Sequence, residues 1–422
     1  MTEKKYVPFT KEMISEYTIL APNMLPIHFN IILQFMRDRG YKTELLTECG
    51  PEVAETGLKY VHNDTCYPAI LVIGQFIRAL ESGRYDPHKV ALVYFQTGGG
   101  CRASNYIFLL RKALAKAGYD YVPVISISFD GLEKHPGFHI DVPTWYKLLY
   151  GIMYADLIMA LCEQVKPYEK NKGDAKALAD KLSVEVAEHM RKGVGGKRAD
   201  ELMRSIVKRF AEIAQDRSSK KPRVGIVGEI YVKFSPLGNN NLGDFLVENG
   251  AEVVLPGLMN FMLYCVYNKI EDYELYHRGN WFVYRAIKFA YKFLLSKQAK
   301  MAMFIEESGV FHASESFSDV VKIAEKCIGR GCKMGEGWLL PAEMLSLAEH
   351  GTPNIVCTQP FGCLPNHICG KGMMKPIKQH YPNANIIAVD YDASASRVNQ
   401  ENRIKLMLAN AKVEEEDEGV LS

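Results

Sequence analysis

Lys89-Val90-Ala91-Leu92-Val93-Tyr94-Phe95-Gln96-Thr97-Gly98-Gly99-Gly100-Cys101-Arg102 is the stretch on which the reading of this chain turns. The apolar run from Val90 to Phe95 is what a parallel strand buried on both faces looks like. Three glycines end it, and a helical pattern follows with Tyr106, Leu109, Leu110, Leu114 and Ala117 on one face. Strand, glycine loop and helix in that order form the unit of a doubly wound α/β sheet. The same alternation extends outward: residues 17–22, 41–47 and 122–129 read as further strands, with helices over 26–39, after Cys66 and over 104–118. Beyond the polar segment Asp216-Arg217-Ser218-Ser219-Lys220-Lys221-Pro222 the pattern restarts. Residues 223–229, 251–255, 354–359 and 385–392 read as strands, and 394–411 as a closing helix. The fold expected is α/β: two Rossmann-like doubly wound parallel-sheet domains, 1–143 and 223–422, facing a central cleft. A helical connecting segment and linker, 144–222, joins them.

Composition narrows the class. The chain has 422 residues, 48% hydrophobic and 24% charged, which suits a soluble globular protein of two or three domains. Lys+Arg 51 against Asp+Glu 49 leaves a net charge of +2, which argues against an extended nucleic-acid surface. The first ten residues have no apolar core of a secretion signal. The apolar stretches 145–162 and 281–295 are interrupted by Lys147, Asp156, Arg285, Lys288 and Lys292, so they read as buried helices and not membrane spans. A cytoplasmic protein with no membrane or nucleic-acid partner is expected.

The ten cysteines are then the main chemical signal. In a reducing compartment they do not form a disulfide framework. Cys162 and Cys49 read as small packing residues. Cys66, in Asn63-Asp64-Thr65-Cys66-Tyr67-Pro68, and Cys101 both open helices, where free N–H groups and the helix dipole favour a thiolate. Cys357 ends a strand, and Cys363 follows in Gln359-Pro360-Phe361-Gly362-Cys363-Leu364-Pro365, with Cys369 six residues on. Cys327 and Cys332 flank Ile328-Gly329-Arg330-Gly331, which leads to Gly335-Glu336-Gly337-Trp338, and Cys265 lies in an aromatic helix. No CxxC pair marks a structural zinc site. A scattered all-thiolate set borne on loops favours iron–sulfur instead, although ferredoxin-type runs are also missing. The glycines Gly98 to Gly100 lack GxGxxG, and no Ser or Thr follows Lys371 to hold Mg²⁺, so no ATPase motif is present. Gly99 and Gly100 serve to let backbone approach a bulky cluster, or make turns.

Residues 63–68, 96–105 and 359–367, with Gly335-Glu336-Gly337-Trp338 and Val389-Asp390-Tyr391-Asp392-Ala393-Ser394, resemble the 2-hydroxyacyl-CoA dehydratase and benzoyl-CoA reductase component family. Within it the chain is most similar to the branch accompanied by an ATP-dependent activase and to double-cubane cluster proteins. The resemblance implies that Cys66, Cys101 and Cys363 match the three cysteines that hold a [4Fe–4S] cluster in the dehydratases. It also implies that the surplus cysteines fit a double-cubane [8Fe–9S] cluster, for which Cys327, Cys332 and Cys357, then Cys265, are the expected second set and Cys369 is set aside. The implied activity is that of an anaerobic iron–sulfur oxidoreductase, a homodimer. A separate ATP-hydrolysing iron–sulfur activase dimer would supply low-potential electrons for the reduction of a small unsaturated molecule. Glu229, Lys233, Glu336 and His367 are the candidate proton donors, expected on cleft-facing loops; Arg102 and Lys371 would balance cluster charge. Two alternatives stay open: a [4Fe–4S] subunit of a 2-hydroxyacyl-CoA dehydratase, and a non-catalytic electron carrier.

Overall fold

The computed structural model describes residues 6–95, 100–127, 133 and 135–411. Within them the chain is α/β, with eight strands: β1 (Thr18–Pro22), β2 (Lys42–Leu46), β3 (Val90–Phe95), β4 (Val124–Ile127), β5 (Arg223–Gly228), β6 (Glu252–Val254), β7 (Asn354–Pro360) and β8 (Asn385–Tyr391). They form two four-stranded, all-parallel sheets in the orders β2-β1-β3-β4 and β6-β5-β7-β8. The two orders are the same, so the second half repeats the plan of the first. In each sheet the two central strands, β1 with β3 and β5 with β7, are where the winding changes direction. The central strands are the most continuously apolar because helices cover both their faces; Leu92 and Val356 are fully buried.

The two sheets share a hydrophobic core. Tyr67, Val72 and Leu92 from the first unit join Ile226, Tyr231, Val356 and Tyr391 from the second in one cluster. The Ser235 hydroxyl, beyond β5, donates to the carbonyl of Asn23, just beyond β1, at 3.1 Å. A second core is built mainly from helices. Helix Pro26–Arg37 packs with Val142–Val165, Asp174–Lys192 and Gly196–Ala211, and with the antiparallel pair Leu258–Tyr276 and Trp281–Glu306. The segment expected as a connector over 144–222 is therefore a packed layer that touches elements of both sheets.

One helix among the described residues, Val142–Val165, is long and apolar enough to cross a membrane, and 78% of that window is buried inside the protein. Its burial explains its composition: it is the central helix of the helical core.

His135 ties the start of the chain to the first sheet. Its Nδ1 accepts the Phe9 N–H at 3.1 Å, so the neutral ring is the form the fold uses. Burial, and to a lesser degree Arg111, hold its pKa below the ordinary value, against an upward pull from Glu133. Above its ordinary value of about 6.5 the ring is neutral folded and unfolded alike. Below it the unfolded chain takes up the proton first, so stability falls as pH drops from 6.5 toward the lower folded value and then levels. Urea unfolding between pH 7 and 5 is expected to show a loss of stability that His135→Asn abolishes.

Candidate metal centre

The carboxyl ends of the central strands carry the chemistry. Beyond β3 the chain reaches Cys101, which caps the short turn Arg102–Asn105 ahead of helix Tyr106–Ala117. Cys66 caps helix Tyr67–Glu81, its carbonyl accepting the Ala69 N–H at 2.9 Å. The Arg102 guanidinium donates to the Asp64 carbonyl at 2.9 Å and so clasps the Cys66 loop to the Cys101 loop. Beyond β5, Glu229 caps helix Ile230–Phe234 by accepting the Val232 N–H at 2.9 Å. Beyond β7, Cys363 precedes the wide turn Asn366–Gly370, and its carbonyl accepts the His367 N–H at 3.0 Å.

These groups are neighbours. The Cys66 thiol lies close enough to Cys101, Cys363 and Glu229 for each to act on its charge, and it is hydrogen-bonded by the Tyr106 hydroxyl. Cys101 and Cys363 are each within the field of both Glu229 and Glu336. Glu336 accepts the Ile230 N–H at 3.0 Å and the Asn366 amide at 3.4 Å, while that amide also reaches the Cys363 sulfur at 3.3 Å. A buried polar chain thus links the start of helix Ile230–Phe234 through Glu336 and Asn366 to Cys363.

Burial decides the protonation states. It pushes the Cys363 thiol up to about 12 and raises Cys66 and Cys101 as well, with Glu229 adding to the effect on all three and Glu336 on Cys101 and Cys363. Backbone N–H groups of Arg102, Ala103 and Asn366 pull the other way on Cys101 and Cys363. The helix-start effect expected from the sequence is present, but desolvation outweighs it, and all three are neutral thiols when no cation is near. Glu229 is pushed up to about 8, first by burial and then by Glu336; Glu336 is raised by burial against its N–H donors and Lys233. The carboxyl pair therefore retains a proton near pH 7, next to the thiols.

Does this site suit an iron–sulfur cluster? Among the described residues, no three His, Cys, Asp or Glu side chains close around one point as a single ion requires. The donors on offer are thiols from three separate loops, with N–H groups aimed at two of the sulfurs, which is how protein-bound clusters are held and tuned. Ionising buried thiols requires compensating positive charge, which the iron would bring, releasing the protons. The residues fit.

The other expected residues are distributed unevenly. Cys357 lies within β7, opposite Val227 and Ala388, fully buried in an apolar cluster with Leu340 and Met344. Cys327 ends helix Phe317–Cys327, half-buried, with Glu349 and Lys326 as its charged neighbours. Neither joins the three cysteines, because the sequence shows loop ends but not which way each strand or helix turns its side chain. Cys332 is exposed and acts on Cys369, the cysteine set aside above. Tyr264 lies next to both Cys265 and Cys369 and near Glu336, its hydroxyl donating to the carbonyls of Lys333 and Gly335. Cys369 follows Cys363 through the wide turn Asn366–Gly370, which folds it back inward to 6% exposure.

Lys233 lies in a helix and not on a cleft-facing loop: it is buried in an ion pair with Glu343 at 3.1 Å. His367 donates from Nδ1 to the Cys363 carbonyl at 2.8 Å, and its Nε2 lies 3.3 Å from Asp390, which Lys371 also approaches at 3.5 Å. Lys371 is thus engaged by Asp390, and Arg102 by a backbone carbonyl. Gly99 lies outside the described residues. At Gly100 a side chain would meet the Met334 sulfur at 2.6 Å, a flexible neighbour. Of the two expected packing cysteines, Cys162 is buried, whereas Cys49 is exposed at the end of the β2 loop.

Gly337 positions this assembly. Its φ is +45°, and a Cβ there would lie 2.1 Å from the Cys332 carbonyl oxygen, which accepts the Trp338 N–H. Gly337→Ala is expected to cost about 1–3 kcal/mol and to displace Cys332 and Glu336, read as a lower melting temperature together with reduced iron retention.

Neither protein-family models nor curated protein sequences match the chain. The functional reading therefore stands on the residues and on the resemblance given above.

Proposed function

We propose that this protein is the electron-accepting iron–sulfur component of a low-potential reductase. The observation that carries it is the meeting of Cys66, Cys101 and Cys363, from three loops and both sheets, beside the protonated Glu229–Glu336 pair. When bound, an iron–sulfur cluster supplies one-electron reduction at a potential set by its environment. The chain's own residues hold and cover it. Tyr106 and Asn366 direct hydrogen bonds at Cys66 and Cys363, Arg102 fixes the two first-sheet loops relative to each other, and the carboxyl pair keeps a proton within reach of the reacting centre. His367 and Asp390 lie one layer behind Cys363.

Electrons would come from a separate ATP-hydrolysing activase dimer, consistent with the lack of a phosphate-binding motif, and the acceptor would be a small unsaturated molecule. A cytoplasmic homodimer fits this reading. For the larger, double-cubane cluster, the neighbouring pair Cys332 and Cys369, with Cys265 beside Tyr264, is the second set that the geometry favours. A dehydratase-type [4Fe–4S] cluster is the second reading, favoured because Cys66, Cys101 and Cys363 all lie within the field of Glu229.

Anaerobic purification with iron and acid-labile sulfide counted per chain tests both. About eight irons support the double cubane and about four the single cluster. Zinc without sulfide would overturn the proposal.

A further inference from the structure

A cavity of about 50 Å³ lies between the end of β6, helix Val142–Val165, the loop 312–315 and helix Leu339–Glu349. Its walls are fixed. Gln164 clamps the loop with both amide atoms, accepting the His312 N–H at 2.9 Å and donating to the His312 carbonyl at 3.0 Å. Val253, Leu255 and Leu347 give the cavity apolar sides. Glu343 and Ser346, three residues apart on one face of their helix, line its interior at 3% and 2% exposure. Each has a polar atom left over. Lys233 takes only Oε2 of Glu343, at 3.1 Å, and among the described residues nothing pairs with Glu343 Oε1 or the Ser346 hydroxyl. Buried polar atoms without a partner are costly, so the interior calls for a hydrogen-bond donor from outside the chain. The mouth lies toward Glu315 and His350, whose side chains are 31% and 40% exposed and 3.3 Å apart.

We propose that this cavity binds a small primary ammonium ion, with N–H groups on Glu343 Oε1 and the Ser346 hydroxyl and a short aliphatic stem between Val253 and Leu347. Charge favours a cation. Glu163, Asp244, Glu252, Glu315 and Glu343 surround or line the cavity, and their fixed cationic partners are only Lys166, Lys233 and Arg223; His350 adds a charge only when protonated. An ammonium offers three charge-assisted donors, which suits a carboxylate oxygen, a hydroxyl and water at the mouth. A bare metal ion does not suit the cavity, since among the described residues no three His, Cys, Asp or Glu side chains close around one point. Its apolar sides offer such an ion nothing, but they accept methylene groups. The volume of about 50 Å³ takes roughly four water-sized groups, the size of a nitrogen with about three carbons. Cys66, Cys101 and Cys363 are not among the lining residues, and the inference does not depend on the cluster.

Titration of the full chain with propylammonium chloride, followed by calorimetry and by melting temperature, tests it. Saturable binding is expected with a dissociation constant of about 1 mM or lower, and with a rise in melting temperature that sodium chloride at equal concentration does not give. Propanol, which has the stem without the charge, and tetramethylammonium, which has the charge without N–H groups, are expected to bind about 10-fold more weakly or worse. Ser346→Leu fills the cavity and leaves the Lys233–Glu343 ion pair in place. It is expected to keep the wild-type circular dichroism and to weaken propylammonium binding about 10-fold or more; Glu343→Gln should weaken it as much by removing the charge. Equal binding of propanol would make the cavity a plain apolar void, and equal binding of tetramethylammonium would leave only a diffuse charge effect. No difference from sodium chloride would leave a pocket for water, and binding that survives Ser346→Leu would place the amine elsewhere. Each of these would overturn the proposal.

Discussion

Asp156→Ala is expected to lower the unfolding free energy by about 3–5 kcal/mol. Asp156 sits in the middle of the central helix Val142–Val165, 3% exposed, where a charge is costly unless fully engaged. It is engaged three times. One oxygen lies 2.9 Å from the His28 ring and takes the Leu258 N–H at 2.8 Å, and the other takes the Met259 N–H at 2.8 Å. Helix Leu258–Tyr276 has a glycine, Gly257, at the capping position and no side chain of its own there. Asp156 therefore caps it from another helix, and Gly257 is needed because a Cβ would lie 2.6 Å from the Asp156 carboxyl carbon. Alanine leaves three buried donors without an acceptor. Asp156→Asn, which keeps an acceptor oxygen, should lose roughly half as much. Urea unfolding followed by circular dichroism measures both; a loss for alanine under 1 kcal/mol would mean the cap is dispensable.

Serine at Cys66, Cys101 or Cys363 is expected to remove most of the iron from anaerobically purified protein while leaving the melting temperature of the metal-free chain almost unchanged. All three thiols sit at loop ends beside polar partners, so the hydroxyl that replaces each keeps its hydrogen bonds. Cys357→Ser should show the opposite: iron retained, and about 1–3 kcal/mol of stability lost because a hydroxyl is buried in the apolar interior of β7. Serine at Cys332 or Cys369 separates the two cluster readings. Loss of about half the iron supports the double cubane, and full retention supports the single cluster. If Cys357→Ser stripped the iron as thoroughly as Cys101→Ser, the assignment of the site would be wrong.

The strands were legible because each is a short apolar run ended by glycine or a polar turn; β3 and β7 are the clearest cases. The loop positions of Cys66 and Cys101 ahead of helices, and of Cys363 beyond a strand, were legible in the local pattern; their grouping into one set came from the resemblance and not from that pattern. Cys357 and Cys369 show where such reading stops. The first is the middle residue of β7, a strand buried along its whole length, so its side chain lies in the core on either face. The second is hidden behind a wide turn that the sequence does not announce. The role of Asp156 was equally invisible: in sequence it is a charge interrupting an apolar helix, and its three partners lie more than 100 residues away.

Local alternation of apolar and polar residues was enough to determine that this is an α/β chain with two parallel sheets, and to place two thiols at helix-opening loops and a third at a strand-end loop. Whether those thiols meet, which other cysteines join them, and whether the lysine at 233 faces a cleft or a buried glutamate depended on how the two sheets and the helical layer pack. Periodicity is a property of a few neighbouring residues, whereas the direction of a side chain in space, its desolvation and its charged neighbours are set by contacts between segments distant in the chain.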